Sequence, residues 1–276
     1  MRYKIVADSS CDMFELEGID FSSVPLKIST DKKEYVDDQS LDVINMINEL
    51  KEHKGRSFTS CPNVAEWESA FSDAAFVFAV TITSKLSGSY SSAVMAKQVC
   101  EEKNPGQRIF IIDSLSTGPE MVLIINKLRE LILKGEDFDD ICREIVEYQN
   151  RTHLLFILES MHNLVQNGRV SKLVGAAVDV LGIKVIGMAS EEGTLEIVKK
   201  SRGSGKTIVS FIKELKQLGY NGGRVNISHC LNRKCAEMLR EAIISEFKEA
   251  AINIYPSRGL CSYYAEKGGI LLGFEC

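Results

Sequence analysis

Short apolar runs alternate with longer segments that carry one apolar face, and this alternation constrains the chain more than any other feature. Residues 2–7, 23–29, 76–82, 108–112 and 154–158 read as strands. Residues 43–53, 64–74, 89–103, 117–134 and 137–151 read as helices. Such an order has few solutions, and the simplest is a parallel sheet with crossover helices on its faces. The run Phe76-Val77-Phe78-Ala79-Val80 has no polar side and fits a strand buried on both faces. The fold class is therefore α/β.

The segment just after that run is unusual in composition. Thr81, Thr83, Ser84, Ser87, Gly88 and Ser89 make a link almost wholly of hydroxyls between the strand and the helix at 89–103. Open α/β sheets bind ligands beyond the carboxyl ends of their strands, and a helix N-terminus there favours an anion. Serine and threonine also cap helices with no ligand present, and the stretch alone leaves both readings open.

From about residue 153 the texture changes. Helical patterns at 160–166 and 170–181 flank Asn167-Gly168-Arg169, and strands at 183–188 and 194–199 are joined by the turn Glu191-Glu192-Gly193. A helix at 205–218, a strand at 224–229, a helix at 232–247 and strands at 251–254 and 269–274 complete a second, smaller α/β unit. A length of 276 residues suits two domains, expected as 1–152 and 153–276.

Several function classes fall away. A net charge of -5 with no basic cluster argues against nucleic acid. Met1-Arg2-Tyr3-Lys4-Ile5 runs directly into a strand with no signal peptide, and Asp179 and Lys184 interrupt the most apolar later stretch, so no membrane span is expected. Eight cysteines without a C-x-x-C pair point to reduced thiols in the cytoplasm.

Four other places could carry chemistry. Thr59-Ser60-Cys61-Pro62 precedes a helix and is either an ordinary helix start or a second hydroxyl cluster aimed at the same sheet edge as Ser87. Gly203-Ser204-Gly205-Lys206-Thr207 imitates a phosphate-binding loop, but Lys200 stands where that motif needs glycine. Gly168 reads as a helix C-cap with Arg169 beside it. His53, His153, His162 and His229 have no zinc-binding spacing, and L-S-G-S is not the nucleophile elbow of a serine hydrolase.

Along nearly its whole length the chain resembles the DegV family of bacterial fatty-acid-binding proteins. The matching pieces are I-V-A-D-S-S at 5–10, T-S-C-P at 59–62, T-S-K-L-S-G-S-Y-S-S-A at 83–93, I-I-D-S at 111–114, N-G-R-V-S-K at 167–172 and S-R-G at 201–203. The resemblance implies a two-domain fold with a mostly parallel sheet in the first domain and a long-chain fatty acid held between the two. It implies a carboxylate bound by Thr59, Ser60 and Ser87 beside Gly88, with Arg169 close to the head group. It implies a carrier, not an enzyme, with no cofactor besides the lipid and with a fatty-acid kinase as partner. Members that serve such a kinase usually carry H-x-G-P-G near the C-terminus. This chain instead reads G-L-C-S-Y-Y-A-E-K-G-G at 259–269, with Tyr264 about where the histidine would fall. The alternative from another class is an enzyme: an acyl-ester hydrolase using Ser87, or a phosphate-ester enzyme using the anion site.

Overall fold

The computed structural model describes residues 2–171 and 182–276. In chain order its strands are β1 (Tyr3–Asp8), β2 (Asp20–Val24), β3 (Lys27–Ser29), β4 (Glu34–Val36), β5 (Phe58–Ser60), β6 (Phe76–Thr81), β7 (Arg108–Asp113), β8 (Thr152–Leu158), β9 (Ile183–Ala189), β10 (Leu195–Arg202), β11 (Arg224–His229), β12 (Ala251–Pro256) and β13 (Ile270–Glu275). The helices are α1 (Val43–Glu52), α2 (Val64–Phe71), α3 (Ser89–Lys103), α4 (Pro119–Lys134), α5 (Phe138–Gln149), α6 (His162–Gln166), α7 (Ser204–Gln217), α8 (Arg233–Glu246) and α9 (Gly259–Ala265).

The first sheet is parallel throughout, in the order β2-β1-β6-β7. Alternate residues of β1 and β6 serve its two faces. Ile5, Ala7, Phe78 and Val80 pack with α4 and α5, while Val6, Val77 and Ala79 pack with Trp67, Phe71, Ala93 and Ala96 of α2 and α3. The helix read at 89–103 forms with those bounds. The strand read at 23–29 divides in two. Pro25 has no N–H to give a ladder, so β2 ends at Val24 and β3 leaves for a small antiparallel sheet in the order β4-β3-β5. Its other two strands, β4 and β5, have no counterpart in the sequence reading, because they are only three residues long.

The later strands build a wider mixed sheet, β10-β9-β8-β13-β11-β12, in which only β11 and β12 run parallel among the described residues. One face is covered by α7 and α8 through Phe211, Leu215, Ala236 and Leu239. The other face receives α4, which is buried along most of its length because it also covers the first sheet. Its run Met121 to Ile125 is apolar and buried all round, as two flanking sheets require. The helical pattern read at 170–181 falls largely outside the described residues. Among the described residues, no helix is long and apolar enough to cross a membrane.

Candidate functional site

The loop after β6 is held from both sides by carboxylates at the ends of neighbouring strands. Asp8, at the end of β1, accepts from Ile82 N at 2.9 Å and from Ser89 Oγ at 2.7 Å with one oxygen, and its other oxygen accepts from Ser10. Asp113, at the end of β7, accepts from Ser84 N at 3.1 Å. Thr83 donates its hydroxyl proton to the Gly193 carbonyl at 2.9 Å, tying the loop to the β9–β10 turn. The aspartates of I-V-A-D-S-S and I-I-D-S therefore brace the loop.

Ser87 stands at the open end of this brace. Its oxygen accepts from Ser89 N at 3.2 Å, so it does help to start α3, yet nothing among the described residues accepts its proton. Capping and ligand contact are compatible in one hydroxyl, because capping uses the lone pair and leaves the O–H to donate. Beside it, Gly88 approaches the end of β5 so closely that a Cβ there would lie 3.1 Å from Cys61 Sγ.

β5 supplies the second hydroxyl cluster. Thr59 Oγ1 lies 2.7 Å from Tyr264 Oη. Two hydroxyls in contact share one proton between them, so the pair retains one proton for a third group. One layer behind, Ser57 Oγ lies 2.7 Å from Tyr263 Oη, which also accepts from Asn167 Nδ2 at 2.9 Å. Thr59 and Ser57 share one face of the β5 backbone, and successive tyrosines of α9 reach them.

Arg169 enters through a helix end. Gly168, at φ +71°, provides the left-handed residue that closes α6, with Gly168 N on the Val165 carbonyl and Arg169 N on the Leu164 carbonyl. The guanidinium then donates to the Leu86 carbonyl at 3.3 Å and the Asn167 carbonyl at 2.6 Å, and it lies 5.8 Å from the Tyr264 ring centre. Five donors with two committed leave Arg169 able to meet an anion.

All six residues read from the sequence, Thr59, Ser60, Ser87, Gly88, Arg169 and Tyr264, line one cavity of about 280 Å³. Ser60 and Gly88 are exposed, which sets the polar end at the protein surface. The rest of the wall is mostly apolar, with Leu26 and Ile82 from the first half and Leu154, Phe156, Leu158 and Leu271 from the wide sheet. Among the described residues, none of the four histidines lines it, nor does any carboxylate, so a hydrolase built on Ser87 has no base on this wall.

Sequence reasoning missed α9, which brings Leu260, Cys261, Tyr264 and Ala265 to the cavity. Asp37 accepts from Gly259 N at 2.8 Å and Leu260 N at 2.9 Å, and Asp12 accepts from Arg258 N at 2.8 Å. Burial pushes the Asp12 carboxyl up to about 7 and raises Asp37 as well. The available signal was the spacing of Leu260, Cys261, Tyr264 and Ala265, one helical face between Ser257 and Gly268-Gly269. Asp12 and Asp37 carry no local signal, because their partners lie more than two hundred residues away.

The chain is similar to proteins of one family along its whole length. The family described as "Uncharacterised protein, DegV family" matches residues 2–274. A DegV domain-containing protein of Streptococcus pneumoniae (strain ATCC BAA-255 / R6) is 44% identical over 279 residues, covering 100% of this chain and 99% of the relative. The crystal structure of the Streptococcus pneumoniae fatty acid kinase (Fak) B3 protein loaded with linoleic acid superposes with a TM-score of 0.98 at 44% identity, covering 100% of this chain and 99% of that one. A DegV family protein from Eubacterium eligens loaded with heptadecanoic acid gives a TM-score of 0.97 at 45% identity, with 99% of each chain covered. With a match from residue 2 to residue 274 and relatives of this identity across the whole length, the chain belongs to the DegV family.

Proposed function

We propose that this chain binds one long-chain fatty acid, with its carboxylate at the hydroxyl cluster and its acyl chain in the apolar cavity, and that it acts as a carrier, not as a catalyst. The observation that carries this reading is the cavity itself, apolar for most of its wall and lined at one surface end by Thr59, Ser60, Ser87, Arg169 and Tyr264. Two structures at 44% and 45% identity, described as loaded with linoleic and heptadecanoic acid, support it.

The two ends of such a ligand contribute differently. At about 0.8 kcal/mol per buried methylene, a chain of some sixteen carbons gains on the order of 12 kcal/mol gross, much of it offset by lost freedom of motion. A hydrogen bond to the carboxylate adds roughly 1.5–3 kcal/mol before desolvation. Chain burial thus sets affinity, and the hydroxyls set orientation.

We further propose that the partner is a fatty-acid kinase to which the carboxylate is presented. Exposure of Ser60 and Gly88 at the polar end supports this, as does the likeness to the fatty acid kinase B3 protein. The chain divides into domains 1–152 and 153–276, with the acyl chain between them, and works in the cytoplasm, where its eight unpaired cysteines stay reduced.

Mass spectrometry of a denaturing organic extract of the purified protein tests the central claim. Near-stoichiometric fatty acid is expected; an extract holding only a nucleotide or a sugar phosphate overturns it.

A further inference from the structure

A second cavity, of about 420 Å³, lies at the Thr152 end of β8. Its wall includes Leu115, Glu120, Thr152, His153 and Ser190. The lining differs in kind from that of the acyl cavity, because Thr152 Oγ1 donates to Glu120 Oε1 at 2.8 Å and both residues are buried. Burial pushes the Glu120 carboxyl up to about 7.

Side chains on one face of a strand recur every second residue, so Thr152, Leu154, Phe156 and Leu158 form a row along β8. Leu158 and Phe156 border the acyl cavity alone, and Thr152 borders the second cavity alone. Leu154, 1% exposed, is among the described residues the one common to both walls. Leu154 therefore borders both the mostly apolar acyl cavity and a space whose wall mixes polar and apolar residues.

We infer that Leu154 is the residue that sets the longest acyl chain this protein accepts, by closing the far end of the acyl cavity against the space in front of Thr152 and Glu120. The limit has two parts. Leu154 blocks a longer chain by contact, and beyond it the Thr152–Glu120 pair makes part of the wall polar, beside Leu115 and Met188. Removing the side chain joins the two spaces instead of leaving a sealed void, so the room gained lies in line with the chain. The same substitution at Leu158, in the same row but bordering the acyl cavity alone, removes equal volume without touching the partition.

This inference rests on the fatty-acid reading, and one experiment separates the two. Delipidated wild type, Leu154→Ala, Leu158→Ala and Leu154→Phe are each equilibrated with an equimolar ladder of saturated straight-chain fatty acids from lauric to behenic acid. The protein-bound fraction is then extracted and its chain lengths counted by mass spectrometry. In Leu154→Ala the mean length rises by about two carbons or more, the three side-chain carbons removed making that room. In Leu154→Phe the mean falls, and in Leu158→Ala the upper limit stays at that of wild type. Thermal melts identify any variant that has lost its fold, and the filling and truncating variants test the partition in opposite directions. A wild type that retains no fatty acid overturns the reading beneath, and the partition with it. A wild type that retains fatty acid while both Leu154 variants share its length distribution overturns the partition alone, as does an equal rise in Leu158→Ala.

Discussion

Residues 83–88 and residues 203–207 are both rich in serine, threonine and glycine with one lysine, and both follow an extended segment and lead into or begin a helix. They end in opposite roles. The first comes after β6, in the interior of a parallel sheet, where β1 and β7 bring Asp8 and Asp113 to either side of it. The second comes after β10, the outermost strand of the wide sheet, which runs antiparallel to β9 and has no neighbour beyond it among the described residues. The Ser87 hydroxyl accepts from Ser89 N and has no acceptor for its proton among the described residues, whereas the Thr207 hydroxyl is buried and donates to the Gly203 carbonyl at 2.9 Å. Chemistry at a strand–helix junction is decided by the strands on either side, because only neighbours can brace the loop and leave its hydroxyls unspent.

The comparison breaks most visibly at the brace. In Asp8→Ala, Ile82 N and Ser89 Oγ lose a buried acceptor, each at a cost of about 1–3 kcal/mol. The variant is expected to unfold in urea with a stability roughly 2–6 kcal/mol below wild type. A loss within about 0.5 kcal/mol, the size of an ordinary surface substitution, would mean that the loop is held by something other than the β1 carboxylate.

A smaller effect is expected at the ligand. Ser87→Ala removes one hydrogen bond to a carboxylate and leaves the apolar wall intact, so fatty-acid affinity falls by roughly 1.5–3 kcal/mol, about ten- to 150-fold. Thr59→Ala does the same and also frees Tyr264, whose hydroxyl it meets. The double variant departs from additivity, because both donors serve one carboxylate. A methyl ester binds wild type less well and loses less on either substitution. Calorimetric titration of both ligands into all four proteins checks this; unchanged fatty-acid affinity in Ser87→Ala with loss of a real ester hydrolysis would transfer the site to catalysis.

Legibility tracked the range of the forces involved. Strands 76–81 and 224–229 and helix 89–103 were readable because local periodicity and burial agree there. β4 and β5 were not, since a strand of three residues has no period and each exists only by pairing with β3. The hydroxyl stretches at 59–60 and 81–89 stood out because hydroxyls crowd beside strand ends and helix starts, and the resemblance to the family singled out Thr59, Ser60 and Ser87 among them. The bonds each hydroxyl makes depend on α9, whose Tyr263 and Tyr264 reach back some two hundred residues to Ser57 and Thr59. Contacts at that separation leave no pattern in one sequence. The resemblance to the family indicated Arg169 and Tyr264, but only the fold brings an arginine after α6 and a tyrosine of α9 to one wall.

The smallest expected effect is at the second loop, where a change of charge should do nothing to the lipid. Lys206 lies in the first turn of α7, beside an open groove also lined by Lys199, Lys200 and Ser201, and it does not line the acyl cavity. Phosphate binding by a glycine-rich loop needs a run of backbone N–H groups converging on one point, ahead of a helix and after a strand. Here the helix starts at Ser204, directly after the end of β10 at Arg202 and the single residue Gly203, so there is no loop long enough to wrap a polyphosphate. The threonine that would serve a metal ion is turned inward and bonded to Gly203. Lysines and Arg202 remain on that groove, and surface cations without a loop of converging N–H groups attract anions weakly and with strong salt dependence. Lys206→Ala is therefore expected to bind fatty acid as wild type does, within about 0.3 kcal/mol, and wild type to give no saturable heat with ATP at physiological ionic strength. Saturable ATP binding that survives added salt and disappears in Lys206→Ala would erase the contrast between the two loops, because an edge strand would then have built what only the interior of the parallel sheet is expected to build.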